Sequence, residues 1–185
     1  MAIAPRLLLP TALLWAGAVS GAPAGDAPFG LAWGPLTSVP RPSMADREGN
    51  VTALFYVHGQ PPASGSDTQQ IVLEVCQEEG LQQVIWLSRP FAEAEIPSAY
   101  AAIYREGVRR YGAPRDDRPT QAVVWPTGRT LLAIRLVAGG GKRIIMIASG
   151  ELYEKCSLEH EAATGHPATV HTADLLEARE RGTAP

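Results

Sequence analysis

Residues 51–88 read VTALFYVHGQPPASGSDTQQIVLEVCQEEGLQQVIWLS, and this stretch decides the fold class. Its first part, Val51–His58, is β-branched and aromatic and apolar on both faces, which predicts a well-buried strand. A polar loop containing Pro61, Pro62 and Gly65 ends it. Ile71–Cys76 and Leu81–Ser88 are two further strand patterns, separated only by Gln77-Glu78-Glu79-Gly80. So short a turn, with its glycine last, makes an antiparallel hairpin, because a parallel pair needs a long crossover.

Downstream, Ile96, Tyr100, Ile103, Tyr104, Gly107, Val108 and Tyr111 fall on one stripe of helical period. Pro97 suits the first turn, Gly112 the left-handed position after the last, and Pro114 bars continuation. Arg109 and Arg110 complement the helix dipole, and Glu106 precedes Arg110 by one turn. After a polar link (residues 113–120), strand patterns return over Gln121–Trp125, Arg129–Val137 and Arg143–Ser149. Pro126-Thr127-Gly128 and Gly139-Gly140-Gly141-Lys142 are the turns between them. The fold predicted is α+β: an antiparallel sheet of about five to six strands with one main helix packed on one face.

Outward from this core the chain changes character. Residues 1–24 carry Arg6, then the uncharged apolar run Leu7–Val19, then small residues ending in Ala22-Pro23-Ala24. That is the pattern of a cleaved signal peptide, too short for a comfortable membrane span, with cleavage between Ser20 and Ala24. Its removal leaves 161 residues with 15 basic and 19 acidic side chains, a net charge of −4. That length suits one domain, and the sign of the charge argues against a nucleic-acid footprint. No other stretch reaches membrane-spanning length, so no stable span is expected after cleavage. Residues 25–50 form a Pro/Gly-rich segment in which Phe29–Gly34 is a small apolar patch laid against the core. The α+β domain covers 51–156, and 157–185 is a polar acidic tail with at most a short helix over Ala173–Arg181.

An even pair of cysteines in an exported chain reads first as a disulfide. Cys76 and Cys156 are 80 residues apart. Closing such a loop stabilises by up to about 4–5 kcal/mol through the entropy of the unfolded chain. Two unrelated buried thiols are the alternative.

Gly80-Leu81-Gln82-Gln83-Val84 closes a hairpin, the helix ends in Arg110-Tyr111-Gly112-Ala113-Pro114, and Trp125 stands on the next strand. With the opening Phe29-Gly30-Leu31-Ala32-Trp33-Gly34, this pattern resembles small exported bacterial proteins of uncharacterised function, over about residues 28–150. The resemblance implies structural roles for Tyr111, Gly112, Pro114 and Trp125 and no catalytic residue. In such proteins a helix often follows the position of Gly34; here Pro35, Pro40 and Pro42 oppose one.

Several residue groups invite chemistry. His160, His166 and His171, with Glu159 and Glu161, could ligate a transition metal ion such as zinc or copper. Their spacings match no familiar closed site, and a solvated tail that happens to hold histidines is the competing reading. Gly139–Lys142 lacks the upstream glycine and following helix of a phosphate loop and reads as a hairpin turn. Ser64-Gly65-Ser66-Asp67 near His58 lacks the rigid mount a nucleophile needs. Glu78 and Glu79 are adjacent carboxylates expected to point into solvent. Arg105, Arg109, Arg110, Arg115 and Arg118, offset by Glu106, Asp116 and Asp117, form a mixed face that could receive an anionic polymer or acidic partner. Trp33, Trp86 and Trp125 are expected to fill the core.

The function class expected is therefore a non-enzymatic binding or accessory module of the cell envelope, periplasmic or secreted, needing no cofactor. Its partner would be an envelope protein or polymer. The alternative is a metal-binding periplasmic protein using the histidines of 157–185.

Overall fold

A computed structural model describes residues 27–117, 122–126, 129–137 and 141–180. Eight antiparallel strands form one sheet: β1 Met44–Glu48, β2 Val51–Val57, β3 Thr68–Cys76, β4 Gly80–Ser88, β5 Arg115–Asp117, β6 Ala122–Trp125, β7 Thr130–Leu136 and β8 Lys142–Ser149. Their order across the sheet is β1-β2-β3-β4-β8-β7-β6-β5. Two four-stranded meanders thus meet where Gln83–Leu87 of β4 pairs with Ser149–Ile145 of β8. Every residue of β4 is buried, as befits the sheet's centre.

The sheet has eight strands, a correction to the five or six predicted. The two unforeseen ones, β1 and β5, are its opposite edges. Both are short and charged (Met-Ala-Asp-Arg-Glu and Arg-Asp-Asp), which is how edges avoid pairing with other chains. The same polarity hides them from a reading based on apolar alternation. The other strands and the main helix fall where the pattern put them, to within a few residues.

Helix α1, Ile96–Tyr111, begins with Pro97 in its first turn. It ends at Gly112, whose N–H donates to Val108 O at 2.9 Å. Gly112 has φ 80° and ψ −158°, a correction to the left-handed position expected: this is an extended positive-φ region that is essentially reserved for glycine. The helix covers one face of the sheet, where Tyr100, Ile103 and Tyr104 pack towards Tyr56, Leu73, Trp86 and Trp125. The N-terminal segment joins the same layer: Leu31, Trp33 and Leu36 pack on it, and Gly34 and Leu81 exchange backbone hydrogen bonds of 2.7 and 3.2 Å. Between Gly34 and Ser43 the chain forms no helix.

A second correction concerns the other face. In place of a polar tail, the chain continues into α2, Tyr153–Thr164, and α3, Ala168–Glu180, so helices cover both sides of the sheet. Neither has a coherent apolar stripe, which is why local periodicity does not reveal them. They are held by particular contacts instead. Cys156 forms a disulfide with Cys76 at the end of β3, Cα atoms 6.2 Å apart. Leu175 and Leu176 pack on Phe55, Val72 and Ile85, and Thr172 donates to the buried Glu74 carboxylate at 2.6 Å. No helix among the described residues is long and apolar enough to cross a membrane.

Candidate functional site

The most polar edge of the sheet lies beneath the α2–α3 pair. Along β1 the half-buried residues are Met44, Asp46 and Glu48, while Ala45 and Arg47 face out. This two-residue period puts the three on the helix side, and Met44 packs in the cluster containing Leu175 and Leu176. Asp46 and Glu48 are carried there with it.

Three histidines approach from above. His160 stands one turn beyond Cys156 on α2, hence on the same face, and both are fully buried. Gly165 caps α2 in the left-handed conformation (φ 87°, ψ 1°), with its N–H on Glu161 O at 2.8 Å, and Pro167 prevents the helix from resuming. The turn returns His166 beside His160, ring centroids 5.7 Å apart. Thr164 Oγ1 fastens the turn, 2.9 Å from His160 O and 3.0 Å from His166 O. Helix α3 then delivers His171.

All three rings converge on Glu48. His160 Nε2 is 3.5 Å from Glu48 Oε2, His166 Nε2 is 3.5 Å from Oε1, and His171 Nδ1 is 3.3 Å from Oε2. On its other side His171 Nε2 lies 2.7 Å from Asp46 Oδ2. Among the described residues, Glu48 Oε2 and both ring nitrogens of His160 are buried without a hydrogen bond. One ligand atom from each of Glu48, His160 and His166 can be chosen so that all three lie within 4.8 Å of one another. The spacing is informative. Hydrogen-bonded nitrogen–oxygen pairs stand about 2.7–3.2 Å apart, whereas ligand atoms around a tetrahedral zinc, with bonds of about 2.0–2.2 Å, stand about 3.3–3.6 Å apart.

Burial lowers the His160 pKa below the usual histidine value, against the opposing attraction of Glu48, and the neighbouring His166 and His171 lower it further. The ring is therefore neutral at pH 7, the form that ligates metals. The β1–β2 turn leaves room for it: a Cβ on Gly49 would come within 3.2 Å of His160 Nδ1. The Asp46–His171 contact has the form of a carboxylate that fixes the tautomer and orientation of a metal-binding imidazole.

The remaining candidates fare differently. Among the described residues, His58 Nδ1 is bonded to Thr68 O at 2.8 Å, Asp67 is paired with Arg89 at 3.0 Å, and Ser64 Oγ donates to Pro62 O at 3.5 Å, so these groups form no relay with one another. Gly139 and Gly140 lie outside the described residues, while Lys142 opens β8 and pairs with Glu93 at 2.6 Å. Glu78 is exposed, but Glu79, expected in solvent, is buried and ion-paired with Lys155, whose hydrogen bond holds its pKa below the usual carboxylate value. Cys76, Glu79 and Cys156 also lie together, but the two sulfurs are bonded to each other. Among the arginines, Arg109 grips Glu106 through Nε at 2.8 Å, and Arg118 lies outside the described residues. Trp86 and Trp125 are buried and Trp33 is half-buried, as core filling requires; Trp125 Nε1 donates to Gly112 O at 3.1 Å. Asp46 and Glu48 are the site residues that sequence reading passes over. Glu48 is 112 residues from His160, and no local signal links them.

Compared with protein-family models, with curated proteins and with solved structures, the chain matches none.

Proposed function

We propose that this protein is an exported envelope binding protein whose ligand is a transition metal ion, zinc in the first instance. Glu48, His160 and His166 are the primary ligands, His171 completes the set, and Asp46 orients His171. One observation carries the reading: a fully buried histidine with two unpartnered nitrogens faces an unpartnered carboxylate oxygen, and two more imidazoles stand around the same carboxylate. Unpartnered buried polar atoms are costly, and one cation would satisfy His160 Nε2 and Glu48 Oε2 together. A site of imidazoles and one carboxylate suits zinc, with copper(II) the stronger competitor by intrinsic affinity. Export, to the periplasm or beyond, is supported by the leader pattern of residues 1–24 and by the disulfide.

The test is zinc titration of chelator-treated protein, followed by calorimetry and by melting temperature. A saturable 1:1 isotherm is expected, and zinc at a hundred times its Kd should add about 2.7 kcal/mol of stability. Glu48→Gln and His166→Ala should each weaken binding by at least about tenfold while leaving the fold intact by circular dichroism. Wild-type protein that neither binds zinc or copper nor gains melting temperature would sink the proposal.

A further inference from the structure

Between α1 and the sheet, on the face opposite the histidines, lies a cavity of about 420 Å³. Packed interiors hold few voids larger than a water molecule, whereas small-molecule pockets run to about 300–1,000 Å³. Trp86, Trp125, Leu132 and Met146 form its floor, and Ile103 and Tyr111 its roof. The helix does not settle further because Gly107 already touches the Trp125 ring, so closely that a Cβ there would collide with it. Consequently much of the α1 stripe stays half-buried: of its residues only Ile96 is fully enclosed, and Val108 is 36% exposed.

Two features at the rim suggest what the cavity receives. Phe29 has φ 62° and ψ 27°, a left-handed backbone that a bulky residue rarely adopts, and this places its 40%-exposed ring at the cavity. Strain of this kind concentrates at ligand clamps. The rim charges are Glu106 and Arg110. Arg109 engages both carboxylate oxygens of Glu106, at 2.8 and 2.5 Å, leaving Arg110 only a 3.4 Å approach to the same group. Two guanidinium groups thus share one carboxylate, which leaves Arg110 at the rim only partly neutralised.

We infer that this cavity is a second binding site, for an amphiphile with an acyl-chain-like apolar body and one anionic head directed at Arg110. The inference is independent of the metal site. The probe is the anionic naphthalene dye ANS (8-anilinonaphthalene-1-sulfonate), displaced by sodium myristate or by uncharged tetradecanol, on the folded full chain. Saturable dye fluorescence displaced by both competitors is expected. Arg110→Gln should weaken displacement by myristate about fivefold, as loss of one solvent-facing ion pair predicts, with little change for tetradecanol. Ile103→Trp, which fills the cavity, should abolish dye binding while circular dichroism stays native. Anionic phosphatidylglycerol vesicles in a parallel arm separate the two sources of such a ligand: displacement by vesicles marks a membrane lipid, displacement by free myristate alone marks a free acid, and both support the site. Failure of wild-type protein to bind the dye saturably, failure of myristate to displace it, or unchanged myristate displacement in Arg110→Gln would each overturn the inference.

Discussion

Single residues here act through partners distant in sequence. Glu79 is buried beside a half-exposed lysine on α2, and Lys155 keeps its carboxylate ionised. Because the folded pKa lies below the unfolded one, this pair stabilises above the unfolded carboxyl value of about 4.3 and ceases to do so as pH falls through the lowered folded value. Lys155→Ala should therefore lower the melting temperature at pH 7 and flatten its fall between about pH 5 and 3. Equal acid sensitivity in both proteins, by thermal scans across that range, would contradict the coupling. Gly112 is a backbone case. Valine there must enter a region open in practice only to glycine, at a cost of about 1–3 kcal/mol, measurable by urea denaturation. The reading that placed a helix stop at Tyr111-Gly112-Ala113-Pro114 needed only these local rules, so it was legible from the chain.

At the scale of elements, the apolar stripe on α1 correctly located the helix but overstated its burial. A stripe residue in a sealed core loses about 2–5 kcal/mol on truncation to alanine. Ile103 is half-buried and borders the cavity, so Ile103→Ala should cost nearer 1 kcal/mol. Leu73, fully enclosed in β3 under the same helix, should show the larger loss of about 2–5 kcal/mol. Comparable urea midpoints for the two variants would mean that α1 seals the sheet after all. The helices α2 and α3 illustrate the opposite failure. Their positions follow from a disulfide, a buried histidine and a few leucines, which share a face in space but form no continuous apolar stripe. Gly165 and Pro167 bear a local helix-end signature, but it marks a stop for a helix that nothing upstream announces.

For the whole molecule, the disulfide joins the sheet to the helical layer that carries His160, His166 and His171. Replacing Cys76 and Cys156 together should remove up to about 4–5 kcal/mol of stability, the chain-entropy value for the 80-residue span. It should also weaken zinc binding more than the fall in stability alone would, because His160 lies one turn from Cys156 on the tethered helix. Denaturation and zinc titration of the double variant under native conditions check both, and unaltered zinc affinity would show that α2 is registered by other contacts. The sequence by itself determined the central antiparallel strands, the limits of α1 and the cysteine pair, because each rests on local periodicity, turn chemistry or simple counting. Only the tertiary structure decided that two charged segments become sheet edges, that the polar C-terminal stretch becomes a second helical layer, and that Glu48 meets three histidines more than a hundred residues away. Those outcomes depend on which surfaces meet in space, and a β1 edge strand can choose its partner helices only after the sheet and the disulfide have fixed where they lie.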